Sequence, residues 1–145
     1  MTLDNTISVI ENLQKNIDSV MLDLVKEYDD FVLGLNQAQL YDDGIRNDGS
    51  KITPPYAQLT LQIKRRKGQP TNRVTLKDTG DFYDSFYIQL GSNSFLINAR
   101  DSITNILKGR YKDEILGLTE ESKDELSQFL KGKLIEQLRN ELQQS

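Results

Sequence analysis

Two short stretches hold the residues whose types and spacing could do chemistry: Asp78-Thr79-Gly80 and Lys64-Arg65-Arg66-Lys67. Asp-Thr-Gly is a triplet with which acid-dependent hydrolases place a carboxylate. That chemistry needs two carboxylates sharing one proton in an apolar setting, where each raises the cost of ionising the other. Here the triplet runs on into Asp81-Phe82-Tyr83, without apolar flanks to hold such a pair. The triplet reads instead as a structural turn. Gly80 supplies backbone freedom, and the Asp78 and Thr79 side chains can bond nearby backbone groups. The second stretch sets four cations in a row, followed by Gly68-Gln69-Pro70 and then by Arg73. A mobile cationic loop of this kind can touch phosphates, with an affinity that falls steeply with salt. No aromatic residues interleave to stack bases, so sequence-specific recognition of nucleic acid is not supported. A solvated loop, or one docking on an acidic neighbour, is the alternative.

The rest of the composition narrows the chemistry further. The 145 residues include neither Cys nor His. This removes a cysteine nucleophile, a Ser-His-Asp triad, a cysteine or histidine zinc site and histidine acid-base catalysis. Asp42, Asp43, Asp48 and Gly49 invite a calcium-loop reading. Counting back from Gly49 as the sixth position puts Arg46 third and Gly44 first, so the ligands are missing. No metal, cofactor or small-molecule substrate is expected, and the acids lie mostly on polar helix faces, which does not suggest an enzyme. No apolar run is long enough for a membrane span, and Met1-Thr2-Leu3-Asp4-Asn5 lacks the basic and then apolar opening of a signal peptide.

Charge is strongly segregated along the chain. Residues 1–43 carry nine acids and two bases, residues 44–77 eight bases and one acid, and residues 78–145 twelve acids and eight bases. A basic middle therefore lies between acidic ends. Such segregation can pair subunits through complementary surfaces or attract a polyanion.

The elements that must position these groups form one expected domain, 1–145. Apolar residues from Ile7 through Ile10, Leu13, Ile17, Val20, Leu24, Tyr28 and Phe31 predict a long amphipathic helix over 1–35, ending near Gly34. Residues 36–75 read as a loop-rich basic segment, in which Leu59, Leu61 and Ile63 alternate as in a short strand, with a helical turn ending at Gly68 as the alternative. Residues 76–100 read as the Asp-Thr-Gly turn feeding a strand, then Gly91-Ser92-Asn93-Ser94 and a second strand, which is a hairpin pattern. Residues 101–145 read as a short helix ending at Gly109, an apolar connector, and a final helix capped by Thr119 with Leu126, Phe129, Leu130, Leu134, Leu138 and Leu142 on its buried face. The expected class is α+β: a small antiparallel sheet built on a hairpin, packed against long N-terminal and C-terminal helices.

Leu76, Asp78-Thr79-Gly80, the aromatic Phe82 and Ser85-Phe86 together resemble the L-x-D-T-G-x-hydrophobic-x-x-S-hydrophobic signature of phage tail-completion and virion-morphogenesis proteins. Those proteins sit at the neck between head and tail. Tyr41, Gly44, Ile45, Pro55 and Tyr56 are similar to the loop that leads into the basic segment of that family, and Tyr111 with Ile115-Leu116-Gly117-Leu118 resembles its connector. The family tends to have Gly where this chain has Lys112. The resemblance spans roughly residues 40–142. It implies a structural virion protein, a ring-forming neck, head–tail connector or tail-completion component, present in the virion and in the host cytoplasm during assembly. It also implies homo-oligomers, portal, connector or tail proteins as partners, and non-specific contact with packaged DNA. Lys64, Arg65, Arg66, Lys67 and Arg73 are the candidate contact residues, facing either an acidic protein surface such as Asp29-Asp30 or DNA. The alternative function is a non-specific DNA-binding accessory protein using the same basic loop.

Overall fold

The computed structural model describes residues 2–144; Met1 and Ser145, the two ends of the expected domain, lie outside the described residues. The amphipathic opening forms three helices in succession, where one was expected: α1 (Leu3–Lys15), α2 (Ile17–Glu27) and α3 (Asp29–Ala38). At Asn16 the backbone leaves helical geometry, with φ −116° and ψ 23°. Its side-chain amide donates to the Asn12 carbonyl at 3.1 Å, the same acceptor its own N–H uses. Asn side chains compete with helix propagation in this way. The second break, at Tyr28, lies where Tyr28 and Phe31 both close on Phe129 of the last helix, one ring edge-on at 5.3 Å and the other stacked at 3.9 Å.

The helix also continues through Gly34, where an end was expected. A mid-helix glycine costs about 1 kcal/mol, but the turns on either side of it bury Val32 and Leu40 completely. That burial outweighs the cost. A π-helical turn, Gln39–Asp43, follows, and the stop comes at Gly44 in the left-handed region, φ 62°. A β-carbon on Gly44 would meet the Arg73 β-carbon at 2.9 Å, so only glycine lets the two segments approach.

Leu59, Leu61 and Ile63 do not form a strand. They lie on α4 (Gln58–Arg66), which turns Lys64 into the protein and leaves Leu59 and Ile63 at its surface. Period-two apolar spacing over so few residues also fits a short helix, and among the described residues the sheet has two strands. After the Asp-Thr-Gly turn comes a single helical turn, α5 (Asp81–Asp84), inserted before the strand that was expected to follow at once. The hairpin itself is as read: β1 (Phe86–Leu90) pairs antiparallel with β2 (Phe95–Ala99), with Phe86 opposite Ala99 and Leu90 opposite Phe95. Phe86 is buried, while Arg100 lies 3.5 Å over the ring of Tyr87.

The short helix α6 (Thr104–Tyr111) runs two residues past Gly109 because Tyr111 is buried and anchors its last turn. A 3-10 turn, Asp113–Ile115, leads to the connector and to α7 (Glu120–Gln144). The Thr119 hydroxyl accepts from the Ser122 N–H at 3.1 Å, which is the expected N-cap. The chain is therefore α+β, with a two-stranded antiparallel sheet and a long C-terminal helix. Val32, Leu40 and Ile115 lie at the centre of its core, with Leu24, Phe86, Leu126 and Leu130 around them.

Candidate functional site

The basic stretch and the Asp-Thr-Gly turn meet in space, and a polar framework sets their positions. Arg46 begins that framework. Its guanidinium is buried and forms no ion pair among the described residues; it donates to the backbone carbonyls of Tyr111, Lys51 and Thr53, each at 2.7 Å. One side chain thereby ties the 46–53 loop to the end of α6. Next to it, Asn36 and Gln39 hold the connector as a partner strand would. The Asn36 amide donates to the Ile115 carbonyl at 3.1 Å and accepts from the Gly117 N–H at 2.8 Å. The Gln39 amide donates to the Gly117 carbonyl and accepts from the Thr119 N–H, both at 3.0 Å. Buried backbone groups need such partners, and in this connector side-chain amides take the place of a sheet.

Two tyrosines shape the segment that carries the turn. The Tyr56 hydroxyl accepts from the Thr75 and Leu76 N–H groups at 3.2 and 3.1 Å. The Tyr83 hydroxyl donates to the Thr75 carbonyl, and its burial pushes that hydroxyl well above the usual phenol range, so it acts as a neutral donor. Between these clasps Leu76 adopts a left-handed backbone, φ 58°. The turn follows directly. Gly80 has φ 95°, the Thr79 hydroxyl accepts from the Asp81 N–H at 3.3 Å, and the Asp78 carboxylate accepts from Lys67 at 2.7 Å. The Lys67 ammonium holds the Asp78 carboxyl below its ordinary value.

The five basic residues named from the sequence do not act as one loop. Lys64 is buried in the last turn of α4, donating to the Lys77 carbonyl at 3.2 Å and to the Gln69 amide oxygen at 3.3 Å, with the Tyr56 ring centroid 4.6 Å from its ammonium. It braces the fold, which corrects its reading as a mobile contact residue. Lys67 is engaged with Asp78. Arg73 sits apart, donating to the Tyr41 carbonyl at 2.5 Å and to the Asn72 side chain at 2.6 Å. Only Arg65 and Arg66 of the five are exposed and without a protein partner among the described residues. Asp78, Thr79 and Gly80 lie in a turn; the Thr79 side chain bonds nearby backbone, whereas the Asp78 carboxylate pairs with Lys67 and not with backbone.

Between α4, this turn and the head of α6 lies an open cavity of about 570 Å³. Ile63 on α4 and Ile103, just before α6, face it, with Lys64, Lys67, Asp78, Asp81 and Asp101 among its other walls. Among the described residues no cluster of three or more acids is placed to hold a metal ion, and no helix is long and apolar enough to cross a membrane. Arg46, Asn36, Gln39 and Tyr83 were missed as key positions in the sequence reading. Asn36 had a signal: it stands four residues after Val32 and four before Leu40, on the most buried stripe of the helix. Compared with protein-family models, curated proteins and solved structures, the chain gives no match.

Proposed function

We propose that this chain is a structural virion protein of a tailed phage, a ring-forming neck, head–tail connector or tail-completion component that works through protein–protein assembly. The observation that carries the reading is the state of α1. It is amphipathic, yet none of its residues is fully buried: Thr6, Val9 and Leu13 are half-buried in a helix that meets α7, while Leu3, Ile7 and Ile10 stand exposed. An isolated helix of this length is marginal in water, and most helical stability comes from a covered apolar face. A partner that covers Leu3, Ile7 and Ile10 would complete the burial that α7 begins. The segregated charge gives such a partner a register, and the Leu76-to-Phe86 pattern resembles that of the neck and tail-completion proteins.

A second reading, a non-specific DNA-binding accessory protein, is favoured by one observation: the guanidinium groups of Arg65 and Arg66 are free for phosphates. Light scattering across a concentration and salt series, with and without short duplex DNA, separates the two. A defined oligomer indifferent to duplex supports the assembly reading. A monomer that binds duplex at low salt and releases it at high salt replaces it with the second.

A further inference from the structure

We propose that an extended segment of another protein adds as a third strand to β2, in the slot between that strand and the connector 116–118. One copy of the chain suffices for this, so the inference goes beyond the ring reading above. The backbone supplies the first argument. Arg100 donates its N–H to the Ser85 carbonyl at 3.1 Å, and Gly91 donates to the Ser94 carbonyl at 2.7 Å. Both bonds fall on the register that sets Phe86 opposite Ala99, so the pairs between them that exchange bonds are Tyr87 with Asn98 and Gln89 with Leu96. The N–H and C=O groups of Phe95 and Ile97 therefore point away from β1. On the same edge the Ala99 N–H is taken by the Asn98 side chain at 2.9 Å, whereas those of Phe95 and Ile97 have no partner among the described residues. Ile97 is 8% exposed, and a buried backbone group without a partner is costly.

The cavity beside this edge fits a strand. It measures about 760 Å³ and meets Ser94, Phe95, Leu96 and Ile97 in succession. Successive residues point to opposite faces of a sheet, so a cavity lying on one face would meet alternate residues; this one runs along the strand's edge. No residue of β1 lines it, and β1 is packed against α3. Across the slot lies Leu118, 7% exposed, whose own N–H and C=O have no partner among the described residues, although Asn36 and Gln39 hold its neighbours Gly117 and Thr119. Met21 and Val25 of α2 and Leu126 and Leu130 of α7 also line the slot. A strand laid there turns every second side chain toward these apolar groups.

The occupant's chemistry follows from what remains unpaired. Lys123 on the wall is bonded to Glu120 at 3.2 Å, which leaves Asp18 without an ion pair among the described residues. A segment with alternating apolar side chains and one Lys or Arg complements such a slot. The edge itself, Phe95-Leu96-Ile97-Asn98-Ala99, carries no charge, proline or bulge of the kind that guards a bare edge strand. The added strand comes from another protein because this chain's own alternating stretches, β1 and β2, are already paired with each other.

Short displayed peptides of random sequence, selected on the full-length chain, provide the test. The selected peptides should carry apolar residues at every second position and a Lys or Arg. Amide exchange followed by NMR should show Phe95 and Ile97 exchanging faster than Leu96 and Asn98 in the free chain, and protected once the tightest peptide is bound. N-methylation along the peptide edge that faces β2 should weaken binding about tenfold. Asp18→Lys, a surface change, should weaken it several-fold. Peptides with three-and-four apolar spacing, or peptides that leave Phe95 and Ile97 exchange unchanged, would overturn the proposal. So would the failure of any peptide to be enriched, or N-methylation without effect on either edge. Enrichment of sequences matching β2 itself would make a second copy the donor and overturn the assignment to another protein.

Discussion

Replacing Arg46 with Met should be among the most destabilising single changes in the protein, and its cost can be worked from the contacts. The side chain is 4% exposed and makes three 2.7 Å bonds to backbone carbonyls, of Tyr111, Lys51 and Thr53. A hydrogen bond to a charged group contributes about 1.5–3 kcal/mol net of desolvation. Three bonds made by one side chain are not additive, so the total falls well short of three times that figure. The net loss is on the order of 3 kcal/mol. For a chain of this size that lowers Tm by roughly 10 °C. Urea unfolding followed by circular dichroism would read it as a lower midpoint with an unchanged slope. Arg46→Lys should recover little, because a point ammonium cannot reach three diverging carbonyls as a planar fork does. A midpoint for Arg46→Met within about 0.5 kcal/mol of wild type would refute the reasoning, since such a value belongs to ordinary surface changes.

Three further outcomes are expected. Lys112→Gly should raise stability by about 1 kcal/mol: Lys112 holds φ 78° and ψ 162°, a region almost confined to glycine, and relief of that strain exceeds glycine's entropic cost. A lower thermal midpoint would contradict it. Tyr83→Phe should cost about 1–2 kcal/mol in the same unfolding assay by leaving the Thr75 carbonyl without its buried donor, and an unchanged midpoint would count against that bond. Asp78 has a folded pKa below its ordinary 3.8, so its pairing with Lys67 contributes stability above that value and loses it as pH falls through the lowered one. Both side chains are about half or more exposed, so Asp78→Asn should change acid unfolding near pH 3–4 only slightly; a large shift of that transition would show a stronger coupling.

The hairpin was legible in the sequence because its alternation and its Gly-Ser-Asn-Ser turn are local signals, and the Thr119 cap for the same reason. The breaks at Asn16 and Tyr28 were not, since a continuous apolar stripe does not record a side-chain amide competing for one carbonyl or two rings seeking Phe129. The α4 stretch was ambiguous: Leu59, Leu61 and Ile63 fit either period, and the burial of Lys64 is decided by Lys77 and Tyr56, which lie elsewhere in the chain. Four consecutive cations therefore looked equivalent when only Arg65 and Arg66 are free. Arg46 carried no signal at all. Its acceptors are backbone carbonyls, which every sequence has.

The same distinction matters for function, because it leaves Arg65, Arg66 and the exposed stripe of α1, Leu3, Ile7 and Ile10, available to a partner. Native mass spectrometry of the purified full-length chain tests the assembly claim most directly. A closed ring predicts one dominant species at a single integer multiple of 16.6 kDa, unchanged on dilution over a wide range. A monomer at every concentration would contradict the account.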